Sequence, residues 1–471
     1  MLRVFNTLTR KKEVFKPMKD RKVKMFVCGP TVYDFSHLGH AKTYIQFDVI
    51  ARYLRYKGFE VFYLQNITDL DDKIIDRAKK EGTDPQTIAR KFEKEYYEDM
   101  KALGITSVNK YARATEYIKE IISQVERLIK KGYAYEIEDG IYYDISKFKE
   151  YGKLSGRTAL EAEDAVSRID ESVSKRNKGD FCLWKKSKPD EPKWPSPWFE
   201  GRPGWHIEDT AITEAHFGPQ YDIHGGARDL IFPHHEAEIA QMEAISGKKP
   251  FVKYWLHTGF LTVNGKKMSK SLGNFITIRE ALKKYDAETI RLFFLSSHYR
   301  SPIDYNEKSL EQAKKNVEKF YNTIKNLEGA KKRRSLNKRE RMFEKFLKKI
   351  EKEFEECMDD DFNTPKALLC LHKLSNKTNE ILNKQNGEIA KTLAIKIVNT
   401  FRKFGQIFGI LQKEVRIEEI PEEVKKLVEE RERLRKRGEF EKADLLREKI
   451  RSLGYIVEDT KKGPVLKKIN P

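Results

Sequence analysis

The sequence predicts an α/β protein in which a Rossmann-type nucleotide-binding domain comes first and a helical region follows it. Three observations predict this: a strand–helix–strand pattern near the start, a change of composition after Asp304, and an arginine-rich final segment, 421–471, with two β-like stretches. The chain has 471 residues. At about 150 residues per domain, this length fits roughly three domains.

The strand–helix–strand pattern defines a βαβ unit. Val23–Val27 and Glu60–Leu64 are predicted to be strands, and Gly39–Lys57 is predicted to be the amphipathic helix between them. Such a unit is right-handed and binds its ligand at the carboxyl ends of the strands, beside the start of the helix. Cys28, which directly follows the first strand, is therefore expected to point into a ligand-binding crevice.

The middle of the chain is interpreted as an insertion at about residues 115–200. Ala114–Gly132 has a helical pattern, and Tyr133–Lys149 is predicted to be a short β region. The stretch Trp184–Trp205 is rich in proline and tryptophan, and we expect it to be irregular because proline removes backbone donors and fixes φ.

After the insertion the pattern returns to strand and helix. Asp222–Gly226 is predicted to be a strand that ends in a loop, and Pro233 marks the start of a helix through Met242. The predicted nucleotide-binding domain therefore extends over residues 1–300.

The last third of the chain is predicted to be helical. Beyond Asp304, glycine becomes rare and apolar residues recur at helical spacing, which predicts a bundle over residues 301–415. The basic run Lys331–Arg334 is expected at a helix junction, with an ordinary solvated face as the alternative. Residues 416–471 form a third predicted domain.

The charge balance favours a polyanionic partner. Lys and Arg number 93 against 73 Asp and Glu, a net charge of +20. Such a surplus is typical of nucleic-acid binding, although a generally basic, Lys/Glu-rich proteome is the alternative. The mean hydropathy is −0.70, and no apolar run of about 18 residues is present to span a membrane.

The cysteines and the N-terminus indicate a cytoplasmic protein. The four cysteines, Cys28, Cys182, Cys357 and Cys370, are scattered without a CxxC pair, so we expect no disulfide framework. The first residues lack the charged head and apolar core of a targeting peptide.

Two separate motifs suggest phosphate chemistry. His37-Leu38-Gly39-His40 begins the first predicted helix, where a helix N-terminus favours anionic groups and two imidazoles can donate to phosphate. Lys267-Met268-Ser269-Lys270-Ser271 lies between Gly265 and Gly273, so its two ammonium groups stand on a mobile loop, 265–274, where they can meet charge that develops on pyrophosphate.

These motifs, in this order around a βαβ core, resemble the class I aminoacyl-tRNA synthetases, whose two signatures are named HIGH and KMSKS. Further segments resemble the cysteinyl-tRNA synthetase branch of that family. They are Cys28–Asp34, Asn66–Asp69, Asp71–Lys73, Gly204–Glu208, Asp222–Gly226, Phe232–Glu236 and Asp359–Pro365. The resemblance covers nearly the whole chain.

The resemblance implies the reaction. In that family cysteine is activated by ATP to an enzyme-bound adenylate and is then transferred to the 3′ end of its tRNA. It also implies the partners L-cysteine, ATP with Mg²⁺, and tRNA(Cys), a monomer or homodimer, and an anticodon-binding role for the C-terminal domain.

A metal site is expected in the amino-acid pocket. His234 and Glu238 stand four residues apart on one face of a helix, where both can reach one metal ion, and Cys28 can complete the site. The resemblance implies zinc, held by these three positions and a second cysteine. The matching position here is Asp209. Either its carboxylate replaces the thiolate as a zinc ligand, or zinc has three protein ligands.

Zinc has a physical purpose in such a pocket. Cysteine and serine differ by one atom, which an ordinary pocket discriminates by only about 1–3 kcal/mol. A zinc ion prefers a soft thiolate over a neutral hydroxyl. The resemblance implies that Gly29, Thr31, Thr68, Trp205 and His224 line the pocket around the substrate.

Catalysis is expected to depend on positioning and charge. The substrate carboxylate attacks ATP, so no protein nucleophile is required, and His37, His40, Lys267 and Lys270 are the candidate catalytic residues. The candidate ATP-binding residues include these four. The others are Gly39, Gly226, Asp229 and Ser269.

Three other functions compete with this interpretation. A ligase that joins cysteine to a sugar amine does not need the long basic helical tail. A zinc hydrolase built on His234, His235 and Glu238 lacks the HExxH spacing. A non-catalytic tRNA-binding paralogue is expected to have lost the nucleotide motifs, and both are intact.

Overall fold

The computed structural model describes residues 1–157, 174–268, 272–414, 421–460 and 463–468. The chain forms two compact units, Met1–Lys413 and Glu414–Pro471. The helices of the first unit are α1 (Leu38–Tyr56), α2 (Asp72–Glu81), α3 (Pro85–Ala102), α4 (Ile118–Lys130), α5 (Trp205–Phe217), α6 (His234–Ser246), α7 (Ile278–Lys284), α8 (Ala287–Leu295), α9 (Glu307–Gly329), α10 (Lys338–Asp359), α11 (Thr364–Lys384) and α12 (Lys391–Phe408).

The strands that the structure describes in the first unit belong to five sheets. They are β1 (Arg3–Asn6), β2 (Lys11–Val14), β3 (Lys22–Val27), β4 (Glu60–Ile67), β5 (Lys110–Arg113), β6 (Ala134–Ile137), β7 (Gly140–Tyr143), β8 (Phe181–Lys186), β9 (Gly201–Pro203), β10 (Tyr221–Ala227), β11 (Val252–Thr258), β12 (Leu261–Val263), β13 (Lys266–Lys267), β14 (Ile303–Tyr305), β15 (Lys331–Arg333) and β16 (Glu388–Ala390).

A parallel sheet of order β11-β10-β3-β4-β5 is the centre of the first unit. The predicted strands and helix of the βαβ unit are β3, β4 and α1, and the predicted strand at Asp222–Gly226 is β10. The Rossmann-type α/β class is therefore confirmed. Because every strand of this sheet is parallel, their carboxyl ends meet at one edge, which is where such a fold binds its ligand.

The start of α1 is fixed by two histidines. The His37 Nδ1 atom accepts the N–H of Gly39 at 3.0 Å, and the His40 Nδ1 atom accepts the N–H of His37 at 3.3 Å, which makes a reciprocal cap. A Cβ atom on Gly39 would lie 2.8 Å from the His37 ring, so the cap requires glycine there. The first signature is therefore a helix cap at the ligand-binding edge.

The inserted residues form an antiparallel sheet of order β6-β7-β8-β9. The predicted helix and short β region are confirmed as α4, β6 and β7. The expectation that Trp184–Trp205 is wholly irregular was wrong, because β8 and β9 occupy its two ends and α5 begins at Trp205. Four of its prolines, at 189, 192, 195 and 197, lie between the two strands, where no ladder donor is lost.

Helices α9 to α12 form the predicted helical region. Phe354 and Phe404 stack in its core with ring centroids 4.0 Å apart. The basic run Lys331–Arg334 lies between α9 and α10, as predicted, and three of its residues form β15, which pairs with β16. A buried ion pair between α1 and α8 also reaches these helices: the Arg291 guanidinium lies 2.6 Å from Asp48 and donates to the Phe408 carbonyl at the end of α12 at 2.9 Å.

The second unit has its own small core. Its helices are α13 (Glu422–Lys436) and α14 (Phe440–Ser452), and its hairpin is β17 (Tyr455–Thr460) and β18 (Gly463–Lys468). These elements confirm the predicted arginine-rich helical region and the two β-like stretches. Arg431 is buried and forms a paired contact with Asp459 at 2.8–2.9 Å, so this arginine stabilises the unit from inside.

Within the described ranges, no helix is both long and apolar enough to cross a membrane. The cysteines other than Cys28 lie among packed side chains: Cys182 and Cys370 are buried, and Cys357 is half-buried.

Candidate active site and metal centre

A cavity of about 660 Å³ lies at the carboxyl ends of β3, β10 and β11. Its wall contains many of the predicted site residues. These are Cys28, Gly29, Thr31, His37, Gly39, His40, Trp205 and Asp229. Another cavity, about 930 Å³, lies at the amino ends of the same sheet and is lined by none of them. The position of the first cavity is the one expected for a parallel sheet, which binds its ligand at the carboxyl ends of its strands.

The four predicted metal ligands come together beside the inner end of this cavity, where Cys28 lines the wall and Asp209, His234 and Glu238 lie behind it. One ligand atom from each of Cys28, Asp209, His234 and Glu238 lies within 4.8 Å of the others. The Asp209 Oδ2 atom is 3.3 Å from the Cys28 Sγ atom and 3.0 Å from the His234 Nε2 atom. The His234 Nε2 atom is also 3.3 Å from Glu238 Oε1. We call these four residues the inner cluster.

Three rigid elements supply the inner cluster. Cys28 directly follows β3, Asp209 stands in the second turn of α5, and His234 and Glu238 lie on successive turns of α6. All four residues are buried. Every residue of helix α6 from His234 to Ile245 is buried, so this helix has no exposed polar face. The HHEAE segment is therefore part of the interior.

The electrostatics of the inner cluster call for a cation. Both carboxylate oxygens of Glu238 are buried and have no hydrogen-bond partner among the described residues. Burial, and next Asp209, raise the pKa of Glu238 well above its usual value. Burial and the same carboxylates raise the pKa of Cys28. Buried acids are stable as anions only when paired or metal-bound, and thiolate, imidazole and carboxylate are zinc's usual ligands, so the donor set fits zinc.

A second combination of residues overlaps this cluster. Cys28, His224, His235 and Glu238 also bring ligand atoms within 4.8 Å of one another. His235 was not predicted as a ligand. This combination contains only one of the two buried carboxylates, so a cation held by it would leave Asp209 outside its ligand set. A cation held by the set with Asp209 would contact both carboxylates.

The second ring nitrogen of His234 and one face of its ring also have close neighbours. The His234 Nδ1 atom lies 2.8 Å from the His206 Nδ1 atom, and burial, with His234, lowers the pKa of His206, which keeps that ring neutral. Neutral His206 can accept a hydrogen bond from the His234 Nδ1–H, which leaves His234 Nε2 as the ligand atom. The ring of Trp205 stacks on His234 with centroids 4.3 Å apart.

The predicted substrate-lining residues occupy two layers. Gly29, Thr31 and Trp205 lie on the cavity wall, whereas Thr68 and His224 do not reach it. Thr68 is joined to Thr31 by a β-bridge, and its hydroxyl donates to Glu208 at 3.0 Å. The two residues behind the wall therefore support those in front.

Short contacts around His224 and Gly29 show that the inner end of the cavity is closely packed. The His224 Nε2 atom lies 3.4 Å from the Cys28 Sγ atom, and its Nδ1 atom lies 2.6 Å from the Tyr221 hydroxyl. A Cβ atom on Gly29 would lie 1.7 Å from the Asn66 carbonyl oxygen, so only glycine fits. The backbone N–H of Gly29 donates to the Asn66 side chain at 2.5 Å.

The outer end of the cavity is formed by the two signature segments. Since both His37 and His40 accept a backbone N–H at Nδ1, each neutral ring carries its proton on Nε2 and offers a donor there. Burial, and next His37, lower the pKa of His40, so this ring is neutral. The two rings stack with centroids 3.9 Å apart.

The second signature lies partly outside the described residues. Ser269 and Lys270 fall in the gap 269–271, and the Lys267 side chain is also outside the description, although its backbone belongs to β13. Met268 and Phe275, which flank the gap, both line the cavity.

Backbone contacts join the two signatures. The N–H of Leu38 donates to Ile276 at 3.1 Å, and the N–H of Ile278 donates to Ser36 at 2.9 Å. The residues just after the second signature are therefore paired with the residues that begin the first. This approach brings together segments more than 200 residues apart in the sequence.

The two remaining predicted ATP contacts differ. Asp229 lies on the cavity wall in a short turn of 3₁₀ helix, Arg228–Ile231. Gly226 does not lie on the wall. A Cβ atom on Gly226 would lie 2.8 Å from the His235 ring, so this glycine makes room for a histidine behind the wall.

Sequence reasoning missed three supporting residues. Asn66 and Glu208 stand inside segments that the resemblance marked, and that is the signal that could have found them. Lys42 lines the cavity next to the first signature although it is almost fully buried, and its ammonium group contacts only backbone carbonyls among the described residues. A lysine on the buried face of a predicted helix is the only sequence signal for it.

Comparisons with known proteins identify the family and the fold. Residues 14–315 match the family described as tRNA synthetases class I (C) catalytic domain, residues 353–412 match the DALR domain, and residues 418–464 match the cysteinyl-tRNA ligase anticodon binding domain. Among solved structures, methionyl-tRNA synthetase of Mycobacterium tuberculosis in complex with methionyl-adenylate has a TM-score of 0.59 at 16% identity, over 82% of this chain and 89% of that one. This likeness shows the class I fold.

Curated relatives are similar over their whole length. Cysteine–tRNA ligase of Thermococcus gammatolerans is 50% identical over 99% of this chain and 99% of the relative. Cysteine–tRNA ligase of Methanococcus maripaludis is 48% identical over 100% of both chains. The chain therefore belongs to the cysteinyl-tRNA synthetase family, the cysteine–tRNA ligases with a class I catalytic domain.

Proposed function

We propose that the protein activates L-cysteine with ATP and transfers the cysteinyl group to the 3′ end of tRNA(Cys). One observation carries this proposal: a buried cluster of thiol, imidazole and two carboxylates lies at the inner end of a cavity whose outer end contains the first nucleotide signature. The cavity can thus hold a small amino acid and a nucleotide side by side.

Zinc is the metal we propose for the inner cluster, with Cys28, Asp209, His234 and Glu238 as its ligands. Two observations support this set: among the described residues the buried carboxylate of Glu238 has no hydrogen-bond partner, and Asp209 contacts both Cys28 and His234. When bound, zinc supplies a soft Lewis acid that favours the thiolate of cysteine over the hydroxyl of serine. Trp205 and Thr31 would confine the amino acid beside it, with Thr68 and His224 behind them.

The outer end is proposed to stabilise the activation step. The carboxylate of cysteine attacks the α-phosphorus of ATP, a new C–O–P linkage forms, and pyrophosphate leaves with Mg²⁺ as part of the nucleotide substrate. The Nε2–H groups of His37 and His40 would donate to the phosphates, and the ammonium groups of Lys267 and Lys270 would meet the charge on the leaving pyrophosphate. ATP would also contact Gly39, Asp229 and Ser269. Gly226 would support the ATP site from behind the cavity wall.

The helical region and the second unit are proposed to bind tRNA, with domain limits of 1–300, 301–415 and 416–471. The support is the net charge of +20 and the match of residues 418–464 to an anticodon binding domain. Phosphate contacts would make tRNA binding weaken as salt rises. Single-stranded anticodon bases are usually recognised by stacking and by hydrogen bonds to base edges.

Pyrophosphate exchange tests the central proposal. Cysteine should support exchange in the zinc-loaded protein, and serine at the same concentration should support at least about 1000-fold less, since zinc must add to the about 1–3 kcal/mol of an ordinary pocket. Exchange with serine at a rate near that with cysteine, or full activity in a metal-free protein, would refute the zinc-based selection.

Truncation tests the tRNA assignment. Removal of the residues after 415 should leave cysteine-dependent pyrophosphate exchange unchanged, because the second unit has its own core and the cavity is formed entirely by the first unit. Charging of tRNA(Cys) should fall sharply. Unchanged charging by the truncated protein would contradict an anticodon-binding role for this unit.

A further inference from the structure

Lys267, the first residue of the second signature, belongs to the β12–β13 hairpin, whose base is bonded to residues 299–305. Strand β12 pairs with β14, and the N–H of Gly259 donates to the Tyr299 carbonyl at 2.8 Å. The Asp304 carboxylate accepts from the Thr262 hydroxyl at 2.7 Å and from the N–H of Gly265 at 2.6 Å. The position of the β12–β13 hairpin is therefore set by the segment that follows α8.

Lys42 clamps this base from the side of the first signature. It lies on α1 just after His40, and it is 1% exposed. Its ammonium group donates to the carbonyls of Gly259, of Phe260 at 3.2 Å and of Ser301 at 2.9 Å. No carboxylate among the described residues lies within 4.0 Å of it, so these three carbonyls are its hydrogen-bond partners.

Asp361 clamps the same segment from the opposite side. It lies in the connection between α10 and α11, inside the Asp359–Pro365 motif, and is fully buried. Its Oδ1 atom accepts from the Tyr299 hydroxyl at 2.8 Å, and its Oδ2 atom accepts from the Arg300 guanidinium at 2.8 Å. Its carbonyl lies 2.9 Å from the His298 Nε2 atom.

The local backbone shows that Asp361 is held in place for these contacts. Its φ is +64°, in the left-handed region that non-glycine residues avoid, and the N–H of Phe5 donates to its carboxylate at 2.8 Å. Adjacent Asp360 has an exposed carboxylate that pairs with Lys12 on the surface. Two neighbouring aspartates of one motif thus have different environments.

We propose that Lys42 and Asp361 are positioning residues for the activation of cysteine by ATP. Together they fix residues 298–301 and, through them, the hairpin that carries Lys267 toward the nucleotide. This inference rests on the proposed function of the second signature. It gives the Asp359–Pro365 motif of the helical region a role in the nucleotide site, although Asp361 does not line the cavity.

The expected effect is on ATP and not on cysteine. Lys42→Met keeps the length of the side chain but removes every donor, so the carbonyls of Gly259, Phe260 and Ser301 lose their shared partner. Because a displacement of about 1 Å can cost about 100-fold in rate, kcat/KM for ATP in pyrophosphate exchange should fall by about 10–100-fold. The KM for cysteine and the zinc content should stay unchanged.

Asp361→Asn provides an independent variant with nearly the same shape. It should shift kcat/KM for ATP in the same direction, and the milder Tyr299→Phe should shift it less, since it removes one hydroxyl. Asp360→Asn is the matched control, because it changes the exposed neighbour in the same motif and should leave all parameters at wild-type values. Trypsin cleavage after Lys266 should be faster in Lys42→Met and Asp361→Asn than in the control.

Each outcome decides the proposal. A selective loss of ATP kinetics with faster cleavage at the hairpin supports it. Lower melting temperature with unchanged ATP kinetics in folded Lys42→Met or Tyr299→Phe would overturn it, because both residues would then be purely structural. Equal losses for ATP and cysteine would also overturn it. Absence of cysteine-dependent exchange in the wild-type protein would instead refute the proposed function itself.

Discussion

The inner and outer ends of the cavity are built by different means. At the inner end, Cys28, Asp209, His234 and Glu238 come from a strand end and two helices, and all are buried. At the outer end, His37 and His40 cap a helix, and backbone hydrogen bonds join this helix to residues 276–278. The inner end is a rigid arrangement of side-chain charge, whereas the outer end is held by backbone contacts between distant segments.

This difference separates two kinds of sensitivity. The buried carboxylate of Glu238 has no hydrogen-bond partner among the described residues and depends on a cation, so loss of its charge should remove the metal itself. Donors at the outer end act on a nucleotide that other groups also hold, so their loss should reduce rate while the metal stays bound. Substitutions at each end, measured for both metal content and rate, test whether the two ends are independent.

Glu238→Gln should have the largest effect. It keeps the shape of the side chain and removes the charge of a proposed ligand, so zinc content should fall from about one ion per chain to a small fraction. Since a bound metal contributes several kcal/mol, cysteine-dependent pyrophosphate exchange should fall by about 1000-fold or more. Metal analysis and exchange kinetics on the same sample check both parts.

Glu243→Gln is the matched control for that substitution. Glu243 lies on the same helix and is buried, but its carboxylate pairs with Lys153 at 2.5 Å. This variant should retain zinc. If Glu238→Gln retained zinc as well, the inner cluster would not be the metal site, and the contrast between the two ends would lose its basis.

His40→Ala should have the next largest effect, on rate alone. Removal of one preorganised donor costs about 100- to 1000-fold in kcat in other enzymes, and we expect about 100-fold here for adenylate formation. Zinc content should remain at the wild-type value. His216→Ala, at the opposite edge of the sheet, should change neither quantity, and a loss of zinc in His40→Ala would show that the ends are coupled.

Asp209→Asn should reduce metal affinity more gently. Asp209 contacts both Cys28 and His234, and loss of its charge should weaken zinc binding by about 10- to 100-fold in a competition with a chelator. Glu214→Gln, on the same helix α5, is the control. Unchanged zinc affinity in Asp209→Asn would indicate that zinc has three protein ligands.

Phe275→Leu should have the smallest effect. The Phe275 ring meets the His37 ring edge to face at 5.2 Å, and such contacts contribute about 0.5–1.5 kcal/mol. The KM for ATP should therefore rise by about 2- to 10-fold, with zinc content and the KM for cysteine unchanged. Phe440→Leu, an exposed residue of the second unit, should leave the KM for ATP at the wild-type value.

Local sequence patterns predicted most of the fold. The apolar run at Val23–Val27, the helical period after Gly39 and the spacing of His234 and Glu238 each depend on neighbouring residues, so they can be recognised without the tertiary structure. The same patterns failed at Trp184–Trp205. Four prolines lie between the two strands there, and this proline-rich composition made the whole stretch look irregular.

The sequence by itself determined the fold class, the two signature motifs and the candidate ligands. Each of these can be recognised either from residues that lie close together in the chain or from the resemblance of whole segments to a known family. Only the tertiary structure decided that Asp209 meets Cys28 across 181 residues, that Gly226 lies behind the cavity wall, and that Lys42 and Asp361 hold one segment from two sides. The physical reason is that these contacts depend on how the strand ends, helices and loops pack. A pattern of neighbours along the chain carries no information about that packing.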